Sequence, residues 1–123
     1  MKWNINDDRP IWIQLKEQLV KQIVSGKYHC GDKLPSVREL AADAGVNPNT
    51  MQRALAALNQ EGLIITNRTS GRCVTDAEEK IEHCRQEIAQ KIIRRYLAEM
   101  TELGYSHREA SVLIEKGEEE LWN

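Results

Sequence analysis

The sequence predicts a mainly helical fold with a small β-hairpin wing: a winged helix-turn-helix domain over residues 1–75, followed by a two-helix dimerisation region over residues 76–123. Three observations predict it. Two short helical segments are separated by little more than Gly45, Val46 and an Asn-Pro start. Two β-type runs around a Ser-Gly loop follow the second segment directly. From Asp76 onward the apolar residues fall into one long helical stripe.

The elements follow in order. The first helix starts near Pro10, whose fixed φ and missing N–H suit the first helical position. Ile11, Leu15, Leu19 and Ile23 recur at i+4 with Trp12, Val20 and Val24 beside them, a wide apolar face that Ser25-Gly26 ends. Upstream, Trp3 and Ile5 alternate with polar residues as a short strand would. Gly31-Asp32 marks a turn, and Leu34 lies in an extended link before Pro35. Ser36-Val37-Arg38-Glu39 matches the capping box S-x-x-E, so a second helix is expected from Val37 to Ala44, with Gly45 as a left-handed cap. Asn47 is a preferred N-cap and Pro48 a preferred first residue, which starts a third helix running to about Glu61. Leu63–Thr66 and Arg72–Thr75 form the hairpin.

The tail is different in kind. Ile81, Cys84, Ile88, Ile92, Tyr96, Met100 and Leu103 step by three or four residues, and Ala89, Ile93 and Leu97 widen the stripe. Gly104 stops this helix. Ser106-His107-Arg108-Glu109 is a second capping box, and Leu113, Ile114 and Leu121 continue a shorter helix. Two helices cannot bury so long a stripe against each other, so a second copy of the tail is the expected partner. Ile81, Ile88, Ile92, Tyr96 and Met100 are the expected dimerisation residues.

Bulk properties narrow the function. The chain has 123 residues, 41% hydrophobic and 29% charged, with no Phe, which leaves little material for a deep pocket. It shows no membrane-length apolar run and no signal-peptide pattern at Met1–Asn6, so a cytoplasmic protein is expected. Cys30, Cys73 and Cys84 are an odd, scattered set without CxxC, for which free thiols are the default. The net charge of −2 hides an asymmetry: residues 1–75 carry ten Lys/Arg against seven Asp/Glu, residues 76–123 seven against twelve. Positive charge is thus gathered in the first segment, where a nucleic-acid footprint is sought.

The third helix directs the argument. Met51, Ala54, Leu55 and Leu58 share one face, while the opposite face centres on Asn49, Arg53, Ala56 and Gln60, flanked by Thr50 and Gln52. Arg suits guanine edges, Asn and Gln suit adenine, and Ala56 keeps the surface low enough for close approach in a major groove. A helix N-terminus adds partial positive charge for a phosphate. Arg38, Arg53 and the wing arginines Arg68 and Arg72 are expected on one side of the domain.

The run GDKLPSVRELAADAGVNPNTMQRALAALNQEGLI, preceded by PIWIQLKEQLVKQIVSGKY, resembles the N-terminal DNA-binding domain of the GntR family of bacterial transcription regulators from about Pro10 to Thr75. The short tail resembles the YtrA subfamily, whose members lack the large effector-binding domain of other branches and dimerise through their tails. The resemblance implies that Arg38 contacts DNA, that Asn47, Asn49, Thr50 and Arg53 make phosphate and base contacts, and that Ser70 and Gly71 form a wing tip reaching the minor groove. It also implies a repressor of its own operon and of an adjacent ATP-binding-cassette transporter operon. One departure is plain: the family's wing commonly reads Arg-Gly-x-Gly, whereas this chain has NRTSGRC with a single Gly.

The expected partners are therefore double-stranded operator DNA and a second copy of the chain. Nothing specifies a small-molecule effector, no cofactor or metal is expected, and the absence of a phosphate loop, a nucleophile motif or a spaced carboxylate pair speaks against an enzyme. Two alternatives stand beside this reading. One is a winged-helix protein-interaction module, which has no need of four arginines on one side. The other is a metal- or redox-responsive regulator using the His29-Cys30 and His83-Cys84 pairs, though adjacent helical residues diverge by 100° and the spacing fits no metal motif.

Overall fold

The computed structural model describes residues 2–69 and 71–122, the last two of them by backbone alone. The elements are α1 (Ile11–Val24), α2 (Val37–Ala44), α3 (Pro48–Gln60), β1 (Ile64–Asn67), β2 (Gly71–Val74), α4 (Glu78–Glu102) and α5 (His107–Trp122). They group into two compact units, residues 1–85 and residues 86–123.

In the first unit α3 is the hub: α1, α2 and β1 all pack on it. Its buried residues are Met51, Ala54, Leu55 and Leu58, the predicted set, and they meet Leu15, Leu19 and Ile23 of α1, Leu40 and Ala41 of α2, and Ile64 and Val74 of the hairpin in one core. The helix-turn-helix punctuation is as the sequence predicts. Ser36 Oγ accepts the Glu39 N–H at 3.1 Å to start α2, and Gly45, at φ 69°, closes it. A Cβ at Gly45 would meet nothing within 4 Å, so the glycine is required there by its left-handed backbone alone.

The start of the chain differs from expectation. Pro10 is the cap of α1 rather than its first helical residue, because its ring fixes φ but leaves ψ extended at 133°. Trp3 and Ile5 belong to no strand; their alternation has another cause. Gln14, 2% exposed, accepts the Asn6 N–H at 2.9 Å and donates to Asn6 O at 2.8 Å and Arg9 O at 2.7 Å. One turn later, Gln18 accepts the Asn4 N–H and donates to Asn4 O. Side-chain amides of α1 thus do what a neighbouring strand would do, satisfying every second peptide of an extended segment. Trp3 Nε1 donates to Asp43 of α2 at 2.8 Å, which ties the same segment to the helix-turn-helix.

The wing strands begin and end one residue away from the predicted runs. They are antiparallel, with Ile64 opposite Val74 and Asn67 opposite Gly71. A third extended segment lies on the far side of β2: Leu34 N–H donates to Arg72 O, Val74 N–H to Asp32 O, and Gly31 N–H to Val74 O. Lys33 pairs there with Cys73.

In the second unit, α5 begins at a complete capping box, in which Ser106 N–H donates to Glu109 Oε1 at 3.0 Å and Glu109 N–H to Ser106 Oγ at 3.1 Å. Ala110 is fully buried, and its carbonyl accepts the Tyr96 hydroxyl of α4 at 2.8 Å. No residue of α4 is buried. Ile92, Ile93 and Leu103 of the tail stand exposed, as do Val112 and Ile114 of α5. No helix among the described residues is long and apolar enough to cross a membrane.

Candidate nucleic-acid interface

The start of α3 is built for exposure. Asn47 Oδ1 accepts the Asn49 N–H at 2.8 Å, so its side-chain oxygen is committed to the cap while its NH2 stays available. Asn49, Gln52, Arg53 and Ala56 are exposed and Thr50 is half-buried, because the four buried positions of the helix turn the other way.

The wing is joined to this helix by two side-chain pairs. Arg72 Nη2 donates to Gln52 Oε1 at 3.1 Å, and Thr66 Oγ1 bonds Asn59 Oδ1 at 2.9 Å. The first pair brings together two predicted site residues. It also leaves the Gln52 NH2 outside that bond, with its donors unspent on Arg72. Asn67 Oδ1 accepts both N–H and O–H of Thr69, a local turn that shapes the wing tip. Gly71, exposed at φ 78°, is the wing's one glycine and occupies a left-handed position. Ser70 lies outside the described residues.

Arg38 and Arg68 are exposed, and neither has a hydrogen bond or ion pair among the described residues. Arg53 is placed differently: its Cζ lies 4.4 Å from the ring centroid of Trp12 in α1. Trp12 had been legible only as part of the apolar flank of α1. Nothing in the sequence couples it to a residue 41 positions on.

The predicted dimerisation residues fall into two groups. Ile81, Ile88 and Met100 are half-buried, and Tyr96 spends its hydroxyl on Ala110. Ile92 is 50% exposed, and Ile93, at 55%, and Val112 are exposed as well. The cysteines are each half-buried and unbridged. Partial burial, then the Glu78 and Asp76 carboxylates, push the Cys30 thiol above its ordinary value, away from the thiolate that metal binding and redox chemistry use. No group of three or more His, Cys, Asp or Glu able to hold a metal ion occurs among the described residues.

Comparison with known proteins bears on the same surface. Residues 13–74 match the family model described as bacterial regulatory proteins, gntR family. The chain is 32% identical over 101 residues to the uncharacterised HTH-type transcriptional regulator YhcF of Bacillus subtilis, covering 82% of this chain and 84% of that one. It is 36% identical over 95 residues to the HTH-type transcriptional repressor YtrA of the same organism, covering 72% and 73%. Among solved structures, a GntR family transcriptional regulator from Listeria monocytogenes superposes with a TM-score of 0.86 at 37% identity, covering 91% of this chain and 98% of that one.

Proposed function

Since this chain belongs to the gntR family of bacterial regulatory proteins, and is with it a DNA-binding transcription regulator rather than an enzyme, we propose that it acts as a homodimeric repressor on a pseudo-palindromic operator. Residues 1–75 bind DNA and residues 76–123 dimerise. One observation carries the reading: the polar end of α3 stands exposed and is braced by the wing through the Gln52–Arg72 bond. Asn49, Thr50 and the Gln52 NH2 face base edges in the major groove, where amide and hydroxyl groups can discriminate. Arg38, Asn47 and Arg53 hold the backbone, and Arg68, Ser70, Gly71 and Arg72 carry the wing toward the minor groove.

A two-fold dimer reads two half-sites about 34–36 Å apart, or at multiples of that spacing. The uncovered apolar face of the tail supports such a pairing. By likeness to YtrA-type regulators, the operator lies upstream of the protein's own operon and of an adjacent transporter operon, and the protein works in the cytoplasm, at the nucleoid when bound.

Fluorescence anisotropy tests this. The purified protein is titrated against the DNA upstream of its own gene and against random duplex over a range of salt. Preferential binding to the upstream fragment that weakens steeply with salt is the expected result. Equal affinity for both duplexes at low salt, with the dimer verified, removes the operator reading.

A further inference from the structure

We propose that Trp12 is a positioning residue for DNA binding, and that its indole holds Arg53 as a phosphate clamp at the rim of the recognition helix. The proposal rests on the DNA-binding reading of α3 and says what one part of that surface touches.

The stacking geometry comes first. With Cζ 4.4 Å from the ring centroid, the guanidinium spends its π face on the indole. That contact uses none of its N–H groups. Arg53 is exposed and has no hydrogen bond or ion pair among the described residues, so all five donors remain for a ligand.

Two cations close to Trp12 in the chain, Arg9 just before α1 and Lys16 within it, are already committed. Arg9 Nη1 lies 2.6 Å from Glu17, and Lys16 is paired with Glu61 at the end of α3. Arg53 alone of the three has an aromatic partner in place of a carboxylate. An aromatic partner orients a guanidinium without neutralising it, which suits a group reserved for an anion.

The third observation is direction. The contacts Trp12–Arg53 and Lys16–Glu61 are two rungs along the α1–α3 seam, and they run in the same sense along both helices. Arg53 therefore sits at the end of the seam nearer both N-termini, over Trp12 in the first turn of α1, whose dipole adds positive potential there. A guanidinium folded back onto α1 does not extend from α3 to the floor of a groove. Its reach is the sugar-phosphate backbone at the groove's rim. The clamp thus contributes affinity and register but no base preference.

The test uses the full-length protein and four variants, Trp12→Leu, Trp12→Phe, Arg53→Ala and the double variant Trp12→Leu/Arg53→Ala, titrated against the upstream duplex, its single-base-pair variants and random duplex. Thermal melting checks that each variant folds. Arg53→Ala should lower affinity for all duplexes by the same factor and reduce the slope of log K against log salt by about 1. Trp12→Leu should weaken binding by about two- to fivefold, the size of an exposed cation–π contact, and should add nothing once Arg53 is gone. Trp12→Phe keeps a ring under the guanidinium and should bind nearly as the parent does. Additive effects of the two positions, or a Trp12→Leu variant that folds and binds as the parent, overturn the clamp. A changed base preference in Arg53→Ala overturns it too, because that marks a base reader. If the parent binds no duplex at any salt, the clamp and the DNA-binding reading fall together, whereas the other failures leave that reading standing.

Discussion

Replacing Ile92 and Ile93 together by Glu is the sharpest test of the tail. Both lie in α4, which has no buried residue, and Glu is a good helix former, so the change opens no core and does not oppose the helix. The two side chains are 50% and 55% exposed. Fully burying an Ile is worth about 1.5–3 kcal/mol, so covering the remaining half is worth about 0.8–1.5 kcal/mol for each. A two-fold interface contains every residue twice, so four half-covered side chains contribute about 3–6 kcal/mol, or about 10²–10⁴ in dimer Kd. Placing four carboxylates there adds repulsion to that loss. Sedimentation equilibrium over a micromolar range reads the result directly: the parent should be dimeric and the double variant monomeric, with unchanged helical circular dichroism. A variant that sediments as the parent does would show that the stripe is covered by something other than a second copy.

Arg38→Ala, which removes an exposed guanidinium from α2, should weaken binding to operator and random duplex alike in the anisotropy titration and lower the slope of log K against log salt by about 1. Gln14→Ala strips the buried amide that serves Asn6 and Arg9, and should cost about 1–3 kcal/mol in urea unfolding while speeding amide exchange at Asn6. The Glu109 carboxyl is held below the usual carboxylate range by the Ser106 N–H, then by the Ser106 hydroxyl. A lowered value means that the contribution is complete above the ordinary Glu range near ~4.3 and is lost as pH falls below it through the folded value. Circular dichroism of the full chain should therefore show an acid-induced loss of helix that is smaller in Glu109→Gln, in which this group cannot titrate.

Local chemistry was legible and distant pairing was not. Each cap of α2, α3 and α5 is written within four residues of sequence, and the structure returns the buried side of α3 position for position. The alternation at Trp3 and Ile5 was legible too, but as the wrong object. Period two reports an extended chain, not what satisfies its peptides, and here the partner is a pair of glutamine side chains at i and i+4 on α1. Gln14 and Gln18 beside Asn4 and Asn6 were the available signal. Pro10 missed its predicted position because propensity constrains φ and leaves ψ to tertiary context. The two contacts that organise the candidate interface, Trp12–Arg53 and Gln52–Arg72, join residues 41 and 20 positions apart. No local pattern encodes such pairs; they exist because α3 is packed between α1 and the wing.

The three-segment pairing of the wing also bears on the order in which the domain can assemble. β2 is fastened on one side to β1 and on the other to residues 31–34, which precede α2. The helix-turn-helix is therefore enclosed in a loop closed by backbone bonds between Leu34 and Arg72 and between Asp32 and Val74. Closing a loop of that length carries an entropic cost that is recovered only when the whole strand is present. As the chain leaves a ribosome, α2 and α3 emerge well before the strand that secures both ends of their loop. A nascent chain halted before Arg72 would carry the recognition helix in full, yet leave it without the closure that holds it in place.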